Sequence, residues 1–298
     1  MKMKSNKKKP VNREELEGKV VLITGGSQGI GKCMAIEFSK HNSRVIVCSR
    51  TKRDLDKVKD EIKAFGGSCE CFVTDVSNIV HVKKLFQNVM NLYGEIHVLI
   101  NCAGIYGPIG TLDKNDIKMW KKTIDINLIG VVHTTHCVIP IMKKQKQGKI
   151  INISGGGIGG PNINPNFSAY TTSKAAVAGF TEIIARELKS SNIQVNAISP
   201  GAVNTRLLDQ VLEAGELAGK DFFEKSKKQR IEGGTPPEKA VRLAIFLATT
   251  RSDHINGKLL SAVWDNYENF DKIKNKIAES SFYNLRRIDD FMFYESKK

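Results

Sequence analysis

Short apolar runs alternate with longer amphipathic stretches along most of this chain. The short runs are rich in β-branched residues, whereas the longer stretches repeat their apolar positions with helical spacing. Continuous strands that alternate with helices predict parallel βαβ units, with helices on both faces of one sheet. The strands are predicted at Val20–Thr24, Arg44–Cys48, Ser68–Val73, Val98–Asn101, Lys149–Ile153, Gln194–Ile198 and, more weakly, Lys258–Ala262, and the helices at Lys32–Lys40, Lys52–Phe65, Ile79–Tyr93, Ile117–Lys143 and Ala169–Lys189.

This alternation predicts a single α/β domain of the Rossmann type, a doubly wound parallel sheet, because no Pro-, Gly- or Ser-rich linker divides it. The domain is expected to span residues 17–265. An insertion at about residues 203–237 follows a late strand and therefore lies at the carboxyl edge of the sheet, where ligands bind. We expect residues 1–16 to be a disordered basic tail, and residues 266–298 to be a helical extension packed on the body or on a neighbouring subunit.

The formal net charge of +15 does not by itself predict a nucleic-acid partner. Residues 1–13 carry six basic side chains and no acidic one, and elsewhere basic residues are interspersed with acids. That distribution is typical of a solvated tail and solvated helix faces, and nucleic-acid binding through the tail is the less favoured alternative. No apolar run approaches the roughly 20 residues of a membrane span, and no secretory signal is evident. We expect a cytoplasmic protein with no nucleic-acid, membrane or metal partner.

A glycine-rich loop follows the first predicted strand and precedes the first helix. Its sequence is Thr24-Gly25-Gly26-Ser27-Gln28-Gly29-Ile30-Gly31. Glycine lets the backbone turn tightly and approach a ligand without a Cβ in the way. The amino terminus of the following helix offers free N–H groups and a partial positive charge to a phosphate. Strand, glycines and helix in this order predict a dinucleotide site, whereas a glycine cluster alone would be only a tight turn.

A second motif pairs a phenol with a cation on one helix. Tyr170 and Lys174 are four residues apart, so both side chains emerge on the same face. A free phenol has a pKa near ~10, and a nearby ammonium group lowers that value by favouring the phenolate. Such a pair can act as a general acid or base. The spacing alone is common in structural helices, and its position downstream of the glycine loop is what makes the pair a catalytic candidate.

The two motifs together resemble the short-chain dehydrogenase/reductase family over roughly residues 17–262. The glycine spacing is Thr-Gly-x-x-x-Gly-x-Gly instead of the generic G-x-G-x-x-G. Further matches are Asp75-Val76, where the family's Asp contacts adenine; Asn101-Cys102-Ala103-Gly104, with Cys102 in place of the family's second Asn; and Pro200-Gly201 with Thr205, in the loop that closes over the nicotinamide.

The resemblance implies a role for each catalytic candidate. Tyr170 would protonate the carbonyl oxygen as hydride arrives, and Lys174 would also hold the nicotinamide ribose. Asn127 matches an asparagine that holds a water linking the lysine to solvent, although a helical Asn can equally be a satisfied polar group. Relatives are mostly tetramers built on helix contacts, which implies a homo-oligomer, tetramer or dimer, through Ile117–Lys143 and Ala169–Lys189.

The chain departs from the family at the serine that polarises the carbonyl. Alignment of the fifth strand places that position on Gly155. Ser154 is one residue earlier, and strand alternation would direct it to the opposite side. Ser154 is retained as the candidate hydroxyl, since Ser168 has the position of a helix cap. Because loss of one such donor can cost two to three orders of magnitude in rate, a weakened or altered site stays open as an alternative.

Charge after the second strand predicts the cofactor. An acidic residue there would bind the adenosine ribose and repel a 2′-phosphate, but Arg50 occupies this region and no acid precedes Asp54. Arg50 could pair with a 2′-phosphate, which favours NADPH/NADP+ over NADH, although Gln28 stands where phosphate-selecting relatives are often basic. The predicted cofactor-binding residues are Thr24, Gly25, Ser27, Gln28, Gly29, Ile30, Gly31, Arg50, Asp75, Val76, Asn101, Ala103, Gly104, Tyr170, Lys174, Pro200, Gly201 and Thr205.

The expected activity is therefore NADP(H)-dependent interconversion of a ketone and a secondary alcohol on a small-molecule carbonyl or alcohol substrate. Catalysis is assigned to Tyr170, Lys174, Asn127 and Ser154. The alternative is a catalytically weakened cofactor-binding scaffold or redox sensor of the same fold. Sugar-like or nucleotide-linked ketones are weakly preferred as substrates, with acyl thioesters, steroids and sphingoid ketones left open.

Overall fold

Seven parallel strands form one sheet in the computed structural model, which describes residues 15–158 and 163–287. The strand order is β3-β2-β1-β4-β5-β6-β7. This is the predicted doubly wound Rossmann-type fold, which the structure confirms. The strands are β1 Val20–Thr24, β2 Arg44–Ser49, β3 Cys69–Val73, β4 Val98–Asn101, β5 Gly148–Ile153, β6 Ile193–Ser199 and β7 Leu259–Ser261.

Helices cover both faces of the sheet, with bounds α1 Gly29–Lys40, α2 Lys52–Ala64, α3 Ile79–Tyr93, α4 Ile117–Ile124, α5 Gly130–Gln145, α6 Ser168–Glu187, α7 Arg206–Ala214, α8 Lys220–Glu232, α9 Pro237–Ala248 and α10 Lys274–Glu279. The predicted helices are present with shifted ends, and the two main differences are at α1 and between α4 and α5. Helix α1 begins three residues before Lys32, because the last glycines of the loop form its first turn. A π-helical turn, Asp125–Ile129, separates α4 from α5 within the stretch predicted as one helix.

The apolar runs are continuous because the strands are buried on both faces. Every residue of β1 is buried. Val21 and Ile23 belong to the core on one side of the sheet, and Val20 and Leu22 belong to the core on the other. The strand order reverses between β1 and β4, which opens a crevice at the carboxyl ends of these two strands.

The segment of residues 117–145 is long and apolar enough, by length and composition, to cross a membrane. In this fold α4 packs against α6 and α5 packs against α3. Val138 and Met142 of α5 are fully buried in the core of that side. A core helix passes the same test of length and composition, and the segment has that position here.

The ends of the body differ from the predicted boundaries. Glu15 accepts hydrogen bonds from Thr250, and Leu16 is fully buried, so the ordered body begins at least two residues before residue 17. After β7, a 3-10 helix at Tyr267–Ile273 leads to α10, and the chain then runs irregularly to residue 287. The predicted extension is thus only partly helical where it is described. Residues 1–14 and 288–298 of the predicted tail and extension lie outside the described residues.

The extension packs on the body at the β7 edge of the sheet. Its Tyr283 carbonyl accepts a hydrogen bond of 2.7 Å from the Leu259 amide. Arg286 binds both carboxylate oxygens of Glu182 on α6, at 2.6 and 2.8 Å. The side chain of Phe270 is buried in the same core as β1. The extension therefore covers an edge strand that would otherwise expose unpaired backbone groups.

Candidate active site

A cleft of about 300 Å³ lies at the carboxyl ends of the strands, at the point where the strand order reverses. Its walls bring together sixteen of the residues predicted from the sequence: Gly25, Ser27, Gln28, Gly29, Ile30, Gly31, Arg50, Asp75, Val76, Ala103, Gly104, Ser154, Tyr170, Lys174, Pro200 and Thr205. Both sequence motifs therefore face one cavity, although about 145 residues separate them along the chain.

The glycine loop is a cradle that side chains would fill. A Cβ on Gly25, whose φ is +65°, would lie 2.6 Å from the Cα of Ala103. A Cβ on Gly31 would lie 2.5 Å from the Gly25 carbonyl oxygen. Helix α1 starts at Gly29, and the Gln28 side chain makes no capping hydrogen bond to its first turn. The amides of that turn thus remain available to an anion in the cleft, as a dinucleotide pyrophosphate requires.

Thr24 and Asn101 do not line the cleft, although the sequence assigns them to the cofactor. The Thr24 hydroxyl accepts hydrogen bonds from the amides of Cys102 and Ala103, at 3.1 and 3.2 Å. Asn101 is buried and donates to Asn152 at 2.9 Å. These two side chains join β1, β4 and β5 beneath the site. They hold the loop that carries Ala103 and Gly104, and their direct contact with a cofactor stays a prediction.

Gly201 is also outside the cleft lining and serves the turn after β6. Its φ is +86°, and an added Cβ would lie 2.6 Å from Val263 and 2.9 Å from Thr235. Glycine is therefore required for backbone conformation and for packing against the segment after β7. Pro200 and Thr205, on either side of it, do face the cleft.

At the outer end of the cleft, Arg50 and Asp75 face each other across the ends of β2 and β3. The Asp75 carboxylate accepts hydrogen bonds from the amide and the hydroxyl of Ser77, at 3.0 and 2.6 Å. Burial acts to raise the pKa of Asp75, but Ser77 and the charge of Arg50 lower it by more, so the carboxylate stays ionised. Asp54, in the first turn of α2, lines the same end, a position that the sequence alone did not reveal.

At the inner end, Lys174 is buried and Tyr170 is half-buried, both beside the end of β5. The Lys174 ammonium donates to the Ile153 carbonyl at 2.7 Å and lies 5.8 Å from the centre of the Tyr170 ring. Burial lowers the pKa of Lys174 to about 8. Burial also raises the pKa of Tyr170. This direction is opposite to the lowering that the sequence led us to expect, because removal of the phenol from water disfavours the phenolate.

Asn127 lies in the π-helical turn between α4 and α5, a kind of turn that is frequent at functional sites. Its side-chain oxygen accepts from the Ile105 amide at 2.9 Å, and its amide donates to the Ile105 carbonyl and to Ser173, at 2.9 and 3.0 Å. Asn127 therefore ties the loop after β4 to α6. It is a satisfied polar group, the alternative that the sequence left open, and its role in a water relay stays a prediction.

Ser154, the serine that the sequence nominates, lines the cleft, but its hydroxyl is bonded to the backbone of α6. Ser154 is 1% exposed, and its hydroxyl donates to the Lys174 carbonyl at 3.0 Å. Gly155 lies directly beneath the catalytic candidate, since a Cβ there would be 2.8 Å from the Tyr170 hydroxyl oxygen. Ser168 is the first residue of α6 and accepts from the Trp120 indole at 3.0 Å, so it does not act as a helix cap.

A cluster of aromatic rings closes the space in front of Tyr170. The Tyr106 ring lies edge-on to Tyr170, with centres 4.5 Å apart, and 5.3 Å from Phe167. Phe222, on α8 of the predicted insertion, packs edge-on against Phe167 at 5.0 Å. Helices α7 and α8 thus form a lid that rests on these rings. The sequence located the insertion, but it gave no signal for Tyr106 or Phe167.

Besides the glycine cradle, a buried polar atom without a partner suits the cleft to a nicotinamide dinucleotide. Gln210, on lid helix α7, lines the cleft with its side-chain oxygen buried and without a hydrogen-bond donor among the described residues. A buried acceptor without a partner is costly, and an amide or hydroxyl donor of a ligand would satisfy it. A glutamine within an amphipathic helix carries no sequence motif, which is why sequence reasoning missed it.

Comparison with known proteins places the chain in a family. A family model described as short chain dehydrogenase matches residues 19–215. The 3-oxoacyl-(acyl-carrier-protein) reductase FabG of Thermotoga maritima is 34% identical over 251 residues, which cover 82% of this chain and 96% of that protein. The oxidoreductase UcpA of Salmonella typhimurium is 32% identical over 246 residues, or 82% of this chain and 92% of UcpA.

Solved structures give the same result. An actinorhodin polyketide ketoreductase with NADPH has a TM-score of 0.75 and 25% identity, and covers 85% of this chain and 97% of its own. An NAD+-bound xylitol dehydrogenase has a TM-score of 0.76 and 27% identity, with 83% and 98% covered. The chain therefore belongs to the short-chain dehydrogenase/reductase family and is an oxidoreductase that acts on CH–OH or carbonyl groups with NAD(P).

Proposed function

We propose that this protein interconverts a ketone and a secondary alcohol, with NADPH/NADP+ as cofactor and Tyr170 as proton donor and acceptor. The observation that carries the proposal is the position of Tyr170 and Lys174 at the inner end of the same cleft that begins at the glycine cradle. A bound nicotinamide supplies or accepts the hydride. The protein's own part is to hold the carbonyl carbon near that ring and to move one proton.

The raised pKa of Tyr170 suits a proton donor in the direction of reduction. The phenol stays protonated at neutral pH and gives its proton to the carbonyl oxygen as the C–H bond forms. Lys174, with a pKa of about 8, is mostly cationic at neutral pH and stabilises the phenolate left behind. In the direction of oxidation the phenolate takes the alcohol proton. Asn127 keeps the Ile105 loop and α6 at a fixed separation while this happens.

The preference for NADPH rests on Arg50. Its side chain is exposed, lines the outer end of the cleft and stands where an acidic residue would repel a 2′-phosphate. Asp54 is the nearby acid, but it lies in the first turn of α2, beyond Arg50 and Thr51 along the chain. The relatives support either choice, since one solved neighbour holds NADPH and another NAD+. We therefore assign NADPH on the charge of this chain's own cleft.

The substrate class follows from the lid. Val211 and Ala218 of the insertion are buried with Phe167, and Phe222 packs on them. The partly buried rings of Tyr106 and Phe222 lie in the same cluster as Tyr170, so we favour a ketone attached to an apolar group over a sugar-like ketone, which reverses the weak preference taken from the sequence. The relative named 3-oxoacyl-(acyl-carrier-protein) reductase makes acyl thioesters the first candidates.

NADPH oxidation measured against a panel of ketones tests the proposal. The panel contains an acetoacetyl thioester, a longer 3-oxoacyl thioester, a steroid ketone and a keto sugar. We expect turnover with a thioester, and a kcat lower by about 10³-fold in Tyr170→Phe, since a general acid contributes about 10²–10⁴-fold. Tyr93→Phe, on α3 away from the cleft, is the matched control and should retain its rate.

Other results would point elsewhere. Tight NADPH binding with no turnover on any ketone would favour a cofactor-binding scaffold or redox sensor, for which the glycine at position 155 is the specific argument. Equal rates in Tyr170→Phe and the native protein would remove the tyrosine from the mechanism.

Location and assembly remain proposals too. We keep the cytoplasm as the expected location and a homo-oligomer as the expected state. Ile117 on α4 and Ile183 on α6 are 65% and 58% exposed, and they lie on the two segments named for subunit contact. Light scattering on the native protein and on Ile117→Asp and Ile183→Asp would show whether a dimer or tetramer forms through these helices.

A further inference from the structure

The position at which a serine hydroxyl would polarise the substrate carbonyl holds Gly155, which has no side chain to donate a hydrogen bond. Three nearby serines donate their protons to backbone carbonyls: Ser154 to Lys174, Ser173 to Tyr170 at 2.6 Å and Ser199 to Gly155 at 3.4 Å. These three hydroxyl protons are therefore committed to the backbone. A fourth serine, Ser168, accepts from the Trp120 indole on α4 at 3.0 Å.

The space of the usual serine is also filled. A Cβ at Gly155 would lie 2.8 Å from the Tyr170 hydroxyl oxygen, 3.1 Å from its ring and 3.2 Å from the Lys174 side chain. Real Cβ atoms essentially never come within 3.0 Å of another heavy atom in this way. The tyrosine therefore rests directly on the end of β5. A side chain at position 155 would therefore require the phenol of Tyr170 to shift from its present place.

Among the described residues, the hydroxyl of Tyr106 lies beside Tyr170 and is the candidate donor. Its ring lies edge-on to Tyr170 at 4.5 Å, in the loop that follows β4. Its hydroxyl has no hydrogen-bond partner among residues 15–158 and 163–287. Burial raises the pKa of Tyr106, so the hydroxyl keeps its proton at neutral pH and can donate it in a hydrogen bond.

We propose that Tyr106 is a catalytic residue, whose hydroxyl donates a hydrogen bond to the substrate carbonyl oxygen in place of the serine that Gly155 replaces. The site then works with two tyrosines. Tyr170 transfers its proton to the oxygen, while Tyr106 keeps its own proton and stabilises the developing negative charge. The loop after β4 positions Tyr106, and Asn127 fixes that loop through both backbone groups of Ile105. This inference rests on the proposed function.

The first test is Tyr106→Phe, which keeps the ring contacts with Tyr170 and Phe167 and removes only the hydroxyl. With the thioester that the native protein turns over, we expect kcat to fall by about 10²–10³-fold, as for loss of one oxyanion donor. The Kd for NADPH, read from cofactor fluorescence, and the melting temperature should stay unchanged. A purely structural role would instead lower the melting temperature or weaken NADPH binding along with kcat. Tyr93→Phe is again the control.

The second test replaces Gly155 by a residue with a Cβ, with and without a hydroxyl. Gly155→Ala and Gly155→Ser should both lower kcat, to a similar extent, because the added Cβ displaces Tyr170 whether or not it carries a hydroxyl. Gly156→Ser is the matched control, since a Cβ at Gly156 meets nothing within 4 Å. If Gly155→Ser instead exceeds Gly155→Ala and the native rate, the site lacks a serine and Tyr106 does not replace it.

The outcomes separate the two proposals. Turnover in the native protein that persists within a fewfold in Tyr106→Phe would overturn the role of Tyr106 and leave the reductase intact. Turnover that disappears in Tyr170→Phe but not in Tyr106→Phe leads to the same conclusion. No turnover of any ketone by the native protein would overturn both the reductase and the role of Tyr106.

Discussion

The two ends of the cleft are built on opposite principles. The outer end is formed mainly by backbone, because Gly25 and Gly31 have no side chains and the first turn of α1 presents free amides. The inner end is formed mainly by side chains, since the rings of Tyr170, Tyr106, Phe167 and Phe222 cluster there near Lys174. A cofactor common to many enzymes can be held by a fixed cradle, whereas substrate recognition depends on rings and a lid that differ from one enzyme to the next.

The largest effect that distinguishes the two ends is expected at the backbone end. Gly31→Ala places a Cβ 2.5 Å from the Gly25 carbonyl oxygen, which belongs to the backbone and cannot rotate away. The loop must open, and we expect the Kd for NADPH to rise by about 10²-fold, the equivalent of one or more charged hydrogen bonds. Fluorescence titration measures it. Gly179→Ala, at a helical glycine with open space around it, should bind normally, and equal affinity in both variants would contradict a tight cradle.

The second-largest effect is expected at the outer end, where the charge of Arg50 is proposed to select the cofactor. Arg50→Ala removes the cation opposite the proposed 2′-phosphate, and the Kd for NADPH should rise by about 10- to 100-fold while that for NADH changes little. Arg53→Ala, in the first turn of α2 and outside the cleft lining, is the control. A parallel loss for both cofactors would mean that Arg50 supports the fold of this edge and does not select the phosphate.

A smaller effect is expected at the lid. Phe222→Ala removes the ring that α8 sets against Phe167 at 5.0 Å. An edge-on aromatic pair contributes about 0.5–1.5 kcal/mol beyond burial, so KM for the thioester should rise by about three- to tenfold. NADPH binding should be unaffected, because α8 does not line the cofactor cleft. Phe223→Ala, the neighbouring ring beside Lys227, serves as the comparison.

The smallest expected effect is a pH dependence shared by both ends. Burial lowers the pKa of Lys174 to about 8, so its charge is lost as pH rises through that value. Cofactor that binds the cationic form would then bind about fourfold more weakly at pH 8.5 than below pH 7. Titrations from pH 6.5 to 9 measure the change, and Lys174→Met should give a flat profile. Affinity that increased with pH would exclude the lysine from cofactor binding.

Sequence reasoning is most successful where backbone and order along the chain decide the structure. The strand bounds Val20–Thr24 and Val98–Asn101 agree with the prediction, because both are continuous apolar runs ended by polar residues. The glycine loop can be located because its spacing serves a fixed turn. Thr24 and Asn101 are predicted cofactor residues that do not line the cleft. Their neighbours in the motif face the cleft, and only the registers of β4 and β5 turn Asn101 toward Asn152.

The sequence by itself determined the sheet, the cradle and the Tyr170–Lys174 pair, because these follow from local periodicity and from spacings within one element. The tertiary structure alone decided what surrounds them. It turned Ser154 toward α6, set Tyr170 against Gly155 and brought Tyr106 from another loop to its side. It also determined that the pKa of Tyr170 is raised and that of Lys174 is lowered. Both shifts come from burial, which depends on the elements that pack against a residue and not on its neighbours in the chain.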